Sequence, residues 1–203
     1  LTATVTYGTA FNYFITATNA PSSYNATNLP AGLTVNTTTG EISGVLTAAP
    51  GNYSITLEAT NAGGTGSDVL VLTVEAKVLT VEGLSIVNKI YDGNTSATYT
   101  GGTLNGIYNT DVVNFTGVAT FDTKTVGTTK PVSITLTLNG AAAGNYSVTQ
   151  LTGLTADITA KTLTITGATA QNKPFDGTTT AVITGTLSGV VSGDVVTLNG
   201  TGT

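Results

Sequence analysis

Histidine, cysteine and arginine are all absent from this chain of 203 residues. Without histidine there is no imidazole to act as the usual general base or as the commonest zinc ligand. Without cysteine there is no thiol nucleophile and no disulfide framework, so the redox compartment leaves no mark on the sequence. Charge is scarce as well. Only 8% of the residues are charged, with eleven acids against six lysines and a formal net charge of −5. A surface that neutralises nucleic-acid phosphates needs arginine and lysine, so the composition argues against nucleic acid as a partner, and equally against an anionic membrane surface. No apolar run reaches the roughly 18 residues of a membrane span. No signal peptide is recognisable.

What the chain does contain is threonine, asparagine and glycine, with hydrophobic residues at 40%. That is enough apolar material for real cores, and the length predicts about two domains. Threonine is β-branched and suits a half-exposed strand, while glycine and asparagine suit the turns between strands. The composition predicts an all-β fold.

A repeat organises the chain. Lys89-Ile90-Tyr91-Asp92-Gly93-Asn94-Thr95-Ser96-Ala97 returns as Lys173-Pro174-Phe175-Asp176-Gly177-Thr178-Thr179-Thr180-Ala181. Ala76-Lys77 matches Ala160-Lys161, Gly83 matches Gly167, and Asn88 matches Asn172. After a one-residue slip at Gly102, Thr103-Leu104-Asn105-Gly106 matches Thr186-Leu187-Ser188-Gly189, and Asp111-Val112-Val113 matches Asp194-Val195-Val196. Such a long period suits one small domain per repeat rather than a solenoid rung. The second copy runs only half-way before Thr203, and the sequence opens on Leu1. A segment of a longer array is therefore expected, with domains at 1–75, 76–159 and 160–203, the last truncated.

Residues 1–75 read as a sandwich of strands separated by Gly-rich turns. Leu1–Ala17 alternates, with Phe11, Tyr13, Ile15 and Ala17 on one face. Asn19–Asn28 reads as turn chemistry. Strands are expected at Leu33–Asn36, Glu41–Gly44, Asn52–Asn61 and Ser67–Glu75. Gly51-Asn52-Tyr53 predicts a tyrosine corner, in which a hydroxyl bonds the backbone just upstream. Gly144-Asn145-Tyr146 predicts a second one. Phe11-x-Tyr13, Leu29-Pro30-Ala31-Gly32-Leu33-Thr34, Thr39-Gly40-Glu41-Ile42-Ser43-Gly44 and Gly51-Asn52-Tyr53 together resemble the immunoglobulin-like (cadherin-like) repeat of large bacterial surface proteins.

In 76–159 the expected strands are Val78–Glu82, Ala97–Tyr99, Val112–Ala119, Val132–Leu138, Tyr146–Gln150 and Leu154–Thr159. The Tyr91-Asp92-Gly93 triplet falls between the first two, where aspartate caps its own turn and glycine takes positive φ. Phe175-Asp176-Gly177 takes the same place in the next copy. Asn88-Lys89-x-Tyr91-Asp92-Gly93, Thr103-Leu104-x-Gly106, Asp111-Val112-Val113 and Thr155-Ala156-Asp157-Ile158-Thr159 resemble the repeat named for its Tyr-Asp-Gly triplet, found in tandem in giant bacterial adhesins. The resemblance implies tandem immunoglobulin-like β-sandwiches at the bacterial cell surface. Neither junction, Thr73–Leu79 or Asp157–Leu163, contains a Gly, Pro or Ser spacer, which restricts hinging.

Sites for chemistry are sparse, and no enzyme is expected. The acids are scattered among Gly, Thr and Ala, whereas a glycosidase needs two carboxylates facing across a cleft. Calcium would draw on Asp68, Glu75, Glu82 and Asp92, but a cadherin-type site needs a dense oxygen cluster, so no cofactor is expected. Tyr53, Tyr146 and the two aromatic-Asp-Gly triplets are assigned structural roles. The expected partners are neighbouring repeats of the same chain, in a stalk that presents a distal binding region. Binding of host or matrix glycans or proteins is the alternative, and would draw on exposed aromatics such as Phe14, Tyr24 and Tyr108. Homotypic assembly through an unpaired edge strand is a third.

Overall fold

A computed structural model describes residues 1–202, with the backbone alone at Thr201. The strands begin with β1 (Thr2–Thr6), β2 (Ala10–Phe14), β3 (Ser23–Thr27), β4 (Leu33–Val35), β5 (Glu41–Val45), β6 (Gly51–Asn61) and β7 (Gly64–Glu75). They continue with β8 (Lys77–Ile86), β9 (Lys89–Ile90), β10 (Ser96–Ala97), β11 (Tyr99–Asn105), β12 (Asn114–Phe121) and β13 (Gly127–Asn139). The last are β14 (Tyr146–Val148), β15 (Leu154–Thr159), β16 (Thr164–Ala170), β17 (Ala181–Ser188) and β18 (Thr201–Gly202). One 3-10 turn, Ala143–Asn145, is the only helical element among the described residues. The fold is all-β. Two compact units divide the chain: 1–83 with 102–117 and 136–150, and 84–101 with 118–135 and residues from 151 onward.

In the first unit, residues 1–75 form a sandwich of a β1-β7-β6-β3 sheet and a β2-β5-β4 sheet. β6 and β7 are a long antiparallel hairpin, and β1 runs parallel to β7 from Thr2↔Val71 to Thr6↔Glu75. The inward faces interlock around Ile42, Leu46, Ile55, Leu70 and Leu72, all fully buried. Burying each such side chain stabilises by roughly 1.5–3 kcal/mol. The β4–β5 turn is held by Asn36, whose Oδ1 accepts the N–H groups of Thr38 (3.0 Å) and Thr39 (3.2 Å).

Two expectations for this stretch need correction. The single alternating strand over 1–17 breaks at Tyr7-Gly8, where Gly8 adopts φ +71° and the chain crosses from β1 in one sheet to β2 in the other. Ile15 is buried as the pattern requires, but Ala17 lies exposed beyond β2. Asn19–Asn28 is not all turn, since Ser23–Thr27 is an edge strand on β6. Its asparagine and serine are weak strand formers, and the ladder with β6 overrides them, aided by Asn25 Nδ2 donating to Glu58 Oε2 at 2.9 Å. Turn geometry survives at Asn19, Ala20 and Asn28, all at positive φ.

One residue, Ala76, separates β7 from β8. In a three-stranded sheet β8 lies between β11 and β14. β14 pairs parallel to it, Tyr146↔Lys77 to Val148↔Leu79.

A five-stranded sheet runs β10-β12-β13-β15-β9, most of it in the second unit. Lys130, Val132 and Ile134 alternate inward along β13, with Ala119, Phe121, Ala156 and Ile158 buried on its neighbours. Lys130 is the one buried charged residue among those described, its Nζ 2.6 Å from Thr123 Oγ1 and 3.1 Å from Asp122 Oδ1. That lysine holds the Asp122 carboxyl below the usual carboxylate range. The expected strand Ala97–Tyr99 is two strands, β10 and β11, and the two-residue β9 was not anticipated. Residues 160–202 contribute the antiparallel β16-β17-β18 sheet. No described side chain beyond Ile158 is buried.

Candidate functional site

The Tyr-Asp-Gly region is built around a lysine. Lys89 Nζ donates to Asp92 Oδ1 (2.8 Å), the Asn94 backbone oxygen (2.9 Å), Asn94 Oδ1 (3.0 Å) and the Ser96 backbone oxygen (2.9 Å). Four acceptors share three N–H groups, so the ammonium is fully engaged. Asp92 Oδ1 also accepts Asn94 N–H at 3.1 Å, closing an Asx turn over Gly93 at φ +83°. The second copy repeats this geometry. Lys173 Nζ meets Asp176 Oδ1 (2.7 Å), the Thr178 backbone oxygen (2.9 Å) and Thr178 Oγ1 (2.7 Å), with Gly177 at φ +72°. The lysines, then the backbone N–H groups of residues 94 and 178, hold the carboxyls of Asp92 and Asp176 below the usual range. Both carboxylates serve their turn through Oδ1. Sequence reasoning assigned the aspartate and glycine but missed the lysine's part. The signal was its fixed place three residues before each aspartate.

A second constellation lies in the first unit. Asp111 Oδ2 accepts the hydroxyl protons of Tyr7 (2.9 Å) and Tyr146, and the Tyr146 oxygen accepts Tyr108 N–H at 3.0 Å. The ring of Tyr7 meets those of Tyr108 and Tyr146 edge-on, with centroids 5.9 and 5.5 Å apart. Tyr7, Tyr146, Leu79 and Val113 are buried together here. Burial, then the hydrogen bond to Asp111, pushes the Tyr146 hydroxyl up to about 12 and raises Tyr7 in the same way. Tyr146 therefore forms no local corner. Its hydroxyl serves a backbone N–H 38 residues upstream and a carboxylate 35 residues upstream. Tyr53 does bond just upstream, donating to the Ala49 backbone oxygen at 2.8 Å in an exposed setting. The Asp111-Val112-Val113 run was read as part of the repeat, but Tyr7 and its contact with Asp111 were not, since nothing local marks a pair 104 residues apart.

In the second unit Tyr91 donates its hydroxyl to Asp194 Oδ1 at 3.0 Å. That hydrogen bond first, and burial second, raise the tyrosine's pKa. Beside it lies a cavity of about 200 Å³ lined by Val126, Leu163, Val190, Val191 and Val196. Phe175, at the corresponding position of the next copy, is 99% exposed.

Of the aromatics considered for ligand binding, Phe14 is exposed. Tyr24 packs against the core of 1–75, and Tyr108 packs on Tyr7, so neither is a free platform. A cleft of about 670 Å³ opens beside the β6–β7 turn, lined largely by Thr, Asn and Gly. Its two carboxylates are engaged, Glu58 by Asn25 and Asp68 by its neighbour's Val69 N–H. Among the described residues no three acids come together as a metal site, and Asp68, Glu75, Glu82 and Asp92 form no cluster.

Residues 75–153 and 159–203 match the family model described as "YDG domain", and residues 1–75 that described as "Putative Ig domain". No curated protein matches the chain. Among solved structures, a Bacteroides fragilis protein titled a "putative alpha-galactosidase" is 31% identical over 38% of this chain and 18% of its own, at a TM-score of 0.34. A second from the same organism, titled "putative alpha-galactosidase/melibiase", is 26% identical over 46% of this chain and 19% of its own, also at 0.34. The titin domains z1z2, solved with telethonin, are 13% identical over 79% of this chain and 93% of theirs, at 0.35. The chain thus spans under a fifth of the first two, and superpositions this loose carry no functional argument. The two matched stretches make up more than half of the sequence, and the chain belongs to the YDG domain family.

Proposed function

We propose that this chain is a non-catalytic spacer segment of a bacterial cell-surface adhesin, in which consecutive β-sandwiches are joined closely enough to hold a distal binding region away from the cell. The observation that carries this reading is where the polar chemistry goes. Buried tyrosine hydroxyls and the Asp111 carboxylate are used to tie residues of 1–75 to residues of 76–159. The single residue between β7 and β8 supports the same reading, because it leaves no flexible linker. Immunoglobulin-like and YDG domains in series are consistent with an extracellular repeat region.

Antibody raised against the chain should label intact cells of the source bacterium, and small-angle scattering should give a rod-like profile. A cytoplasmic antigen, or a broadly flexible profile, would overturn the proposal. A glycan-array screen separates it from the lectin alternative: saturable binding by 1–203, lost on replacing Phe14, would favour the latter.

A further inference from the structure

The two tyrosine–aspartate contacts are the same contact made twice. Asp111 and Asp194 are equivalent positions of successive repeats, 83 residues apart, each opening an Asp-Val-Val run. Each accepts a phenol from the domain before it, Tyr7 at 2.9 Å and Tyr91 at 3.0 Å. A glycine at positive φ accompanies each tyrosine, Gly8 (φ +71°) and Gly93 (φ +83°). Each glycine lies against the residue three before the aspartate. A Cβ on Gly8 would stand 2.7 Å from Tyr108 Cγ, and one on Gly93 would stand 2.8 Å from Val191 Cγ1. Tyr7-Gly8 belongs to the turn between β1 and β2, and Tyr91-Asp92-Gly93 to a lysine-centred turn in a domain of another family. Two different turns, one with tyrosine and glycine adjacent and one with a residue between them, present a tyrosine and a glycine to equivalent loops.

We propose that the tyrosine and glycine of the Tyr-Asp-Gly triplet are the plug of a head-to-tail docking contact. Its socket is the loop ending in the aspartate of the next YDG domain's Asp-Val-Val. The occupant of each plug is thus another copy of this domain, and the interface is heterologous, which propagates along an array instead of closing. The aspartate of the triplet keeps the turn, held by its lysine, while the tyrosine reaches across. Phe175-x-Gly177 is the same plug without its hydroxyl: the ring is 99% exposed, and a Cβ on Gly177 would meet nothing within 4 Å. This inference rests on geometry alone and stands whether or not the chain is an adhesin.

The test is residue-resolved amide hydrogen exchange on the whole chain with Tyr91→Phe, Asp194→Ala and the double variant. Tyr91→Phe keeps the ring in its apolar cavity and reproduces the plug that residue 175 carries natively. Each single variant should speed exchange of the 190–196 loop by about tenfold or more, as expected for losing a hydrogen bond to a charged group. The double variant should do no more than either single, and the 1–75 amides should be unchanged. Additive effects, or no effect of either single, would overturn the proposal. So would a Tyr91→Phe effect confined to 89–97, which would make the tyrosine a support for its own turn.

Discussion

Two tyrosines in similar sequence settings, Gly51-Asn52-Tyr53 and Gly144-Asn145-Tyr146, differ sharply in what their hydroxyls hold. The Tyr53 hydroxyl donates to an exposed carbonyl, where water can replace it, so Tyr53→Phe should cost about 0.5–1.5 kcal/mol at most. Tyr146 is 7% exposed and bridges Tyr108 N–H to Asp111. Tyr146→Phe strands the Tyr108 N–H and leaves Asp111 to the Tyr7 hydroxyl, and a loss of about 1–3 kcal/mol should appear in the denaturation midpoint. The raised tyrosines also fix a pH response. An unfolded tyrosine ionises near 10, whereas Tyr146 in the folded chain holds its proton to about 12. Its folded pKa is the higher one, so its contribution is fully present below about pH 10 and is lost as pH rises toward 12. Thermal melts at rising pH should show the melting temperature falling through that window, more steeply than in Tyr146→Phe. A parallel decline in both proteins would count against the coupling.

Strand elements were legible in the sequence wherever one face meets the core and the other meets water. β6 and β13 could be read from their alternation alone, because every second residue, from Ile55 to Leu57 or from Val132 to Ile134, must be apolar. β3 and β9 could not. Ser23–Thr27 and Lys89–Ile90 hold strand geometry through their partners β6 and β15, and a neighbour's ladder leaves no trace in local composition. The Asp-Gly turns were readable from their own residues, since only glycine takes that φ cheaply. The lysine at their centre was not, because a surface lysine and a caged one are spelled alike. Lys89 is only 16% exposed at its side chain and also lies over the Phe121 ring, 5.6 Å from its centroid. Lys89→Met keeps most of the stem but leaves the Asn94 and Ser96 carbonyls and Asp92 without their donor. The acceptors are exposed, so a cost of about 0.5–1.5 kcal/mol is expected, with faster amide exchange confined to 92–97. Unchanged exchange there would show that the turn stands without its lysine.

At the scale of the whole molecule, burial is unevenly shared. Every described residue under 9% exposure lies at or before Ile158. In the β16-β17-β18 sheet Ile165 is 49% and Val182 59% exposed, and in the connections between its strands Phe175 is 99% and Val195 94% exposed. Its hydrogen bonding is regular, from Thr164↔Ser188 to Ala170↔Ile183 and on to Ala181↔Gly202. A ladder without a buried face is weak support, because a sheet this small needs an apolar layer packed against it. A piece of about 40 residues also lies at the lower limit for folding without a disulfide or metal, and cysteine is absent. What steadies residues 160–202 in this chain is their contact with the rest of the second unit, including the Tyr91 hydroxyl on Asp194 and the apolar residues Leu163 and Val191 beside it. Residues 160–203 expressed alone should therefore be disordered or aggregated. Attached to 1–159, they should show amide protection at Ile183, whose N–H is bonded to the Gly200 backbone oxygen at 3.2 Å. Amide exchange on both forms decides the matter. Strong protection of Val182 and Ile183 in a monomeric 160–203 piece would mean that the β16–β18 sheet folds on its own and that the Tyr91 contact is not what holds it.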